Sequence, residues 1–188
     1  MKILFIISIL TSTLYFNSFA QSPKGFRKGQ ITLEDNSILS GYIKEHFRSY
    51  ACLAFIPENG GRKTIYDGSQ IRSVTIDSLS FVCLRGDFFR VISEGRLGFL
   101  QKYSDASNAP SYNGTEAIFV NGTIGEKGDY FIYIQNKNQL VLINRKTYKK
   151  IIPEVLAEYP REFENAFATY DISQIRLAIN TFNSNHNN

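Results

Sequence analysis

Apolar and polar residues alternate along the first half of the chain, and that two-residue period predicts strands. Ile31 and Leu33 alternate with polar neighbours, Glu34-Asp35-Asn36-Ser37 reads as a turn, and Leu39, Gly41 and Ile43 resume the alternation. Residues 29–43 are therefore a hairpin. A third strand over 50–56 stops at Pro57-Glu58-Asn59-Gly60-Gly61, a cluster of chain breakers. Short strands follow near 63–66, 73–76, 80–84, 88–93 and 97–103, with turn residues between them. Such close spacing predicts an antiparallel sandwich, open barrel or meander. Residues 104–114, SDASNAPSYNG, form the most loop-like interior segment. Strands resume over 115–120 and 129–135, and the latter pairs with 139–144 through Asn136-Lys137-Asn138.

Beyond residue 147 the period changes. Tyr148, Ile151, Ile152, Val155, Leu156 and Tyr159 fall on one helical face, with Pro153 placing a kink or a helix start among them. Pro160 suits the first turn of a second helix running to Phe167. Asp171 with Gln174 resembles a capping box opening a last helix, on which Ile175, Ala178, Ile179 and Phe182 share one side. Strands first and helices last make the fold α+β: an antiparallel β-rich body over 21–146, two or three C-terminal helices packed on it over 147–183, and a disordered polar tail over 184–188. An amphipathic helical ending also argues against an outer-membrane barrel, which needs alternating strands around its whole circumference.

The amino terminus says where such a domain works. Lys2 precedes an apolar run from 3 to 10, and Ser18-Phe19-Ala20 offers small residues at a cleavage site, so residues 1–20 read as a secretory signal. The run is too short to span a bilayer comfortably, so no transmembrane segment is expected after cleavage. The chain of 188 residues then leaves a length suited to one domain that buries its own core. The net charge of +4 loses only Lys2 with the signal, and it is too mild and too scattered for a nucleic-acid binder. Its tightest basic group, Arg145, Lys146, Lys149 and Lys150, reads as a solvated face.

Three segments, GQITLEDNSILSGYI (29–43), IYDGSQIRSV (65–74) and TYKKIIPEVLAEYP (147–160), resemble a group of small exported proteins of Bacteroidota-type genomes. The resemblance implies an export signal, a β-rich body and C-terminal helices. It implies no catalytic residue.

Candidate chemistry is sparse. Outside the cytosol an even number of cysteines permits a disulfide, so Cys52 and Cys83 are either bridged or two separate thiols in apolar strands. A nucleophile triad needs a histidine base. His46 in the hairpin arm is the only candidate, with Cys52 nearby, because His186 lies in the tail. Asp77 paired with Asp87 or Glu94 would be the carboxylates of a glycosidase. No metal motif is present and no cofactor is expected. Residues 122–128 contain three glycines but lack the Lys-Ser/Thr ending of a phosphate loop, so they read as a hairpin connection. Tyr103, Tyr112, Tyr130 and Tyr133 flank the long loop and this connection, and tyrosine is a common contact for sugars and proteins. The sequence thus predicts a non-enzymatic exported domain, periplasmic or secreted. It would bind or scaffold an envelope protein or glycan through residues 104–114 and 121–128, with a hydrolase using His46 or a carboxylate pair as the alternative.

Overall fold

The computed structural model describes residues 22–106, 110–113, 116–119, 122–146, 148–149 and 168–186. The expected signal segment lies outside them. Alternation becomes strand where it was expected: β1 (Arg27–Leu33) and β2 (Ile38–His46) pair antiparallel, with Ile31 opposite Leu39 and Gly29 opposite Gly41. A helical turn, α1 (Phe47–Tyr50), ends at Ala51 in the left-handed region and leads into β3 (Cys52–Pro57) and β4 (Thr64–Asp67). The chain then returns to the other side of β1 as β5 (Ile71–Ile76). It continues as a meander through β6 (Leu79–Leu84), β7 (Asp87–Ser93) and β8 (Leu97–Lys102). Arg85 and Gly86 both have positive φ, the two-residue turn that matches the natural twist of a hairpin.

Between β8 and the next sheet strand the chain leaves the sheet. Residues expected to be mostly loop contribute β9 (Pro110–Asn113), which pairs with β10 (Glu116–Phe119) as a separate two-stranded hairpin. The chain re-enters as β11 (Tyr130–Ile134), which pairs with β8, and ends the sheet with β12 (Gln139–Ile143). The result is one ten-stranded antiparallel sheet in the order β12-β11-β8-β7-β6-β5-β1-β2-β3-β4.

Its two faces differ. One carries two buried apolar clusters. On β1 to β7, Ile31, Ile43, Leu53, Phe55, Ile71, Val74, Phe81, Cys83 and Phe88 form a buried cluster with Phe47 of α1, whose ring stacks on Phe88 at 4.1 Å. On β8, β11 and β12, Leu97, Phe99, Ile132, Ile134, Val141 and Ile143 pack against α2 (Ile172–His186) through Ile175, Ile179 and Phe182. Burying those three helix side chains is worth roughly 1.5–3 kcal/mol each. The Asp171 carboxylate accepts from the Ser173 and Gln174 amides, so the expected cap forms.

Two C-terminal expectations change. Among the described residues this region holds one long helix rather than two or three; apart from Tyr148 and Lys149, which are helical, the stretches 148–159 and 160–167 lie outside the described residues. The helix also continues to His186, where a disordered tail was expected from 184. Asn183 explains this. Its side chain is buried, donates to the Glu94 and Leu97 carbonyls and accepts from the Leu97 amide, tying the helix end to the β7–β8 turn. His186 stacks on Phe182 at 4.3 Å one turn later. Among the described residues no helix is long and apolar enough to cross a membrane.

Candidate functional site

The second face carries the candidate site, because its chemistry changes half-way across the sheet. Side chains alternate between faces along each strand, and directly paired residues share a face. On β1, β2, β5 and the start of β6, register places a central row of Gln30, Ser40, Thr75 and Ser80 on this outer face, all suited to water, with Ile38 and Tyr42 of β2 on either side of Ser40. From the middle of β6 onward the same face turns apolar: Val82 and Leu84, Phe89 and Val91, Leu100, Phe131 and Tyr133, and Leu140 and Leu142.

One end of this apolar half is closed by a buried polar clasp. Asp87 and Lys102 are fully buried and paired at 3.3 Å. The Asp87 carboxylate accepts from four donors: the Ser104 hydroxyl, the Ala106 amide, and the Thr123 amide and hydroxyl. The Lys102 ammonium donates to the Thr123 and Gly125 carbonyls at 2.7 and 2.9 Å. One carboxylate therefore holds both roots of the excursion that carries β9 and β10. In the segment 122–128 two carbonyls face the Lys102 cation, and the Thr123 and Glu126 amides are taken by the Asp87 and Asp129 carboxylates, so these groups are not free to cradle a phosphate. Every donor and acceptor of the clasp is engaged, so its lysine is a structural tie rather than a nucleophile.

The other end stays open. A groove of about 390 Å³ has Val82, Leu84, Val91, Gly98, Leu100 and Tyr133 as its floor. Its exposed rim carries Glu34, Arg72, Glu94, Gln135 and Asn138. That volume lies within the usual range for small-molecule sites, which pair an apolar lining with a few polar groups. Tyr133 donates to the Asn138 side chain at 2.8 Å, fixing its ring at the groove edge. Arg72 is held by a hydrogen bond to Asn36 in the β1–β2 turn.

The other residues singled out in the sequence do not converge here. Tyr103 packs against Phe47 and Phe81 with the Arg48 guanidinium 4.8 Å above its ring. Tyr130 stacks on Phe99 at 5.4 Å on the helix-covered face. Tyr112 lies on β9. Of Tyr103, Tyr130 and Tyr133, whose side chains are described, Tyr133 lines the groove. The sequence signal for the groove is different: runs such as FVCL and YFIYI are apolar at consecutive positions, as expected of strands buried on both faces.

Cys52 and Cys83 are free thiols. The bridge left open by the sequence does not form. Cys83 points with Phe81 into the covered core and donates to the Gly68 carbonyl at 2.7 Å, whereas Cys52 alternates with the core residue Leu53 and faces the other side. Burial first, and then the charge of Asp87, pushes the Cys83 thiol far above its ordinary range. His46, Cys52 and Asp67 occupy one register row across β2, β3 and β4. The thiol stands between histidine and carboxylate, and burial and then the Asp67 charge raise its pKa, the reverse of an activated nucleophile. The carboxylates are dispersed too: Asp77 accepts from Arg27 at a surface turn, Asp87 sits in the clasp and Glu94 at the groove rim. Among the described residues no group of three or more His, Cys, Asp or Glu side chains is placed to hold a metal ion.

No family model matches this chain, and neither a curated protein nor a solved structure is similar to it.

Proposed function

We propose that this chain is an exported, non-enzymatic binding module that holds a component of the cell envelope by an apolar body seated in the groove. The observation that carries the reading is the switch of the outer sheet face from Gln, Ser and Thr to Val, Leu and Tyr, with the groove lying where the apolar half is open. Val82, Leu84, Val91 and Tyr133 are half-buried there, and an apolar patch left partly open to solvent marks an interaction site. A second reading, capture of an envelope protein by the β9–β10 hairpin, is favoured by Asp87, which holds Ala106 and Thr123 at the two roots of that excursion.

Thermal unfolding against a panel of envelope lipids, glycans and divalent ions tests the first reading. A ligand at about a hundred times its Kd adds roughly 2.7 kcal/mol, which is several degrees for a domain of this size. Shifts from compounds with apolar bodies support the groove; shifts confined to glycans or ions contradict it. Replacement of residues 108–120 by a short Gly-Ser linker separates the two readings. It leaves groove ligands bound and removes capture by the hairpin.

A further inference from the structure

We infer that the groove selects a small amphipathic amine, with an aliphatic or aryl body on the floor and a protonated amino head at the rim. This rests on the groove reading and goes beyond it by naming the ligand class. Three observations carry it.

The first is Gly98, in the interior of β8 and directly opposite Tyr133. Glycine inside a strand costs about 0.5–1 kcal/mol relative to alanine, so it needs a reason. Its backbone is not in the left-handed region, and an added Cβ would meet its nearest neighbour, Tyr133 Cβ, at 3.4 Å, an ordinary contact. Neither backbone geometry nor packing demands glycine. What the missing side chain preserves is the depth of the groove.

The second is the floor. Val82, Leu84, Val91 and Leu100 offer no hydrogen-bonding side chain. A sugar ring laid there would lose water from its hydroxyls without replacement, at roughly 1–3 kcal/mol for each group left unpaired. An alkyl or aryl body carries no such penalty.

The third is the rim charge. Glu34 and Glu94 make no ion pair among the described residues, and Arg72, the one cation of the lining, is oriented by a hydrogen bond to the neutral Asn36 side chain, so it offsets only one of the two carboxylates. Two carboxylates against one guanidinium leave the rim net negative, which favours a cationic head.

Calorimetric titration of the purified protein at neutral pH with n-octylammonium, n-octanoate and n-octanol tests the inference with one body and three heads. Octylammonium should bind about tenfold tighter than octanoate, the scale of one hydrogen bond to a charged group. Glu34→Gln with Glu94→Gln should bring the two affinities together. Gly98→Val should abolish binding of all three while the melting temperature stays at or above that of the wild type. Should Gly98→Val fail to fold, Gly98→Ala adds a single methyl and should still weaken binding severalfold. Failure of octylammonium to bind, octanoate binding as tightly, or a preference unmoved by the glutamine changes overturns the amine inference. Loss of alcohol and carboxylate binding in Gly98→Val would in those cases still uphold the groove. Binding that survives both Gly98 variants overturns the groove itself.

Discussion

Replacing Asp87 by asparagine probes the clasp most severely. The substitution keeps the shape but removes the charge opposite Lys102, which is 1% exposed and has no route to water. It also turns an amide donor toward part of a shell that only donates: the Ser104 and Thr123 hydroxyls, the Ala106 and Thr123 amides, and the Lys102 ammonium. Breaking a buried ion pair from one side typically costs about 3–5 kcal/mol. For a domain of this size each kcal/mol moves the melting temperature by roughly 2–4 °C, so Asp87→Asn should melt about 10 °C lower. Lys102→Met should also destabilise, by leaving the Thr123 and Gly125 carbonyls without their donor. The double variant should lose about 1–3 kcal/mol less than the two single losses together, because each single change strands the other charge. Hydrogen exchange gives the local reading: the Ala106 and Thr123 amides should lose protection in Asp87→Asn before β1 and β5 do. A melting temperature within about 3 °C of the wild type, or strictly additive losses, would refute the clasp as the anchor of the excursion.

Other parts of the fold give sharp expectations. Asn183→Ala strands the Leu97 amide and the Glu94 and Leu97 carbonyls, so it should cost about 2–3 kcal/mol by urea unfolding; no loss would return residues 183–186 to the status of a tail. Gly68→Ala drives a Cβ into the Gly86 carbonyl oxygen, where backbone must move, and should cost about 1–3 kcal/mol. Because burial raises the Cys83 pKa in the folded state, the native thiol holds its proton longer than the unfolded one. Stability is therefore full below the ordinary thiol range and should fall above about pH 9, by up to ~1.4 kcal/mol per pH unit. Cys83→Ala should flatten that alkaline slope, and an unchanged slope would contradict it.

Much of the sheet was legible in the sequence, because strands with one wet face write their alternation plainly. The 29–43 hairpin, the breaker at 57–61 and the pairing of β11 with β12 all follow from period and turn chemistry. The helical turn at Phe47–Tyr50 was not legible, since one turn is too short to show a period. Nor was the clasp. Asp87 and Lys102 look like surface charges until the pairing of β7 with β8 brings them to the same face, and a polar residue among apolar ones does not say whether it is paired. Asn183 was missed for the same reason: a polar stretch reads as a tail unless its partners, 86 and 89 residues away, are known. For the candidate site, the tyrosines drew attention by residue type, and among those with described side chains Tyr133 met it by position. The more telling signal was the change from the alternating strands β1, β2 and β5 to the more continuously apolar β6, β8 and β11, which predicts a second face in need of cover.

The central claim is that this second face binds a ligand, and residue-resolved amide shifts during titration with n-octylammonium test it most directly. The account predicts saturable shifts clustered at Leu84, Val91, Gly98, Leu100 and Tyr133, with Ile31, Ile76 and Ile175 unmoved. Shifts confined to β9 and β10, or spread without saturation over the surface, would contradict it.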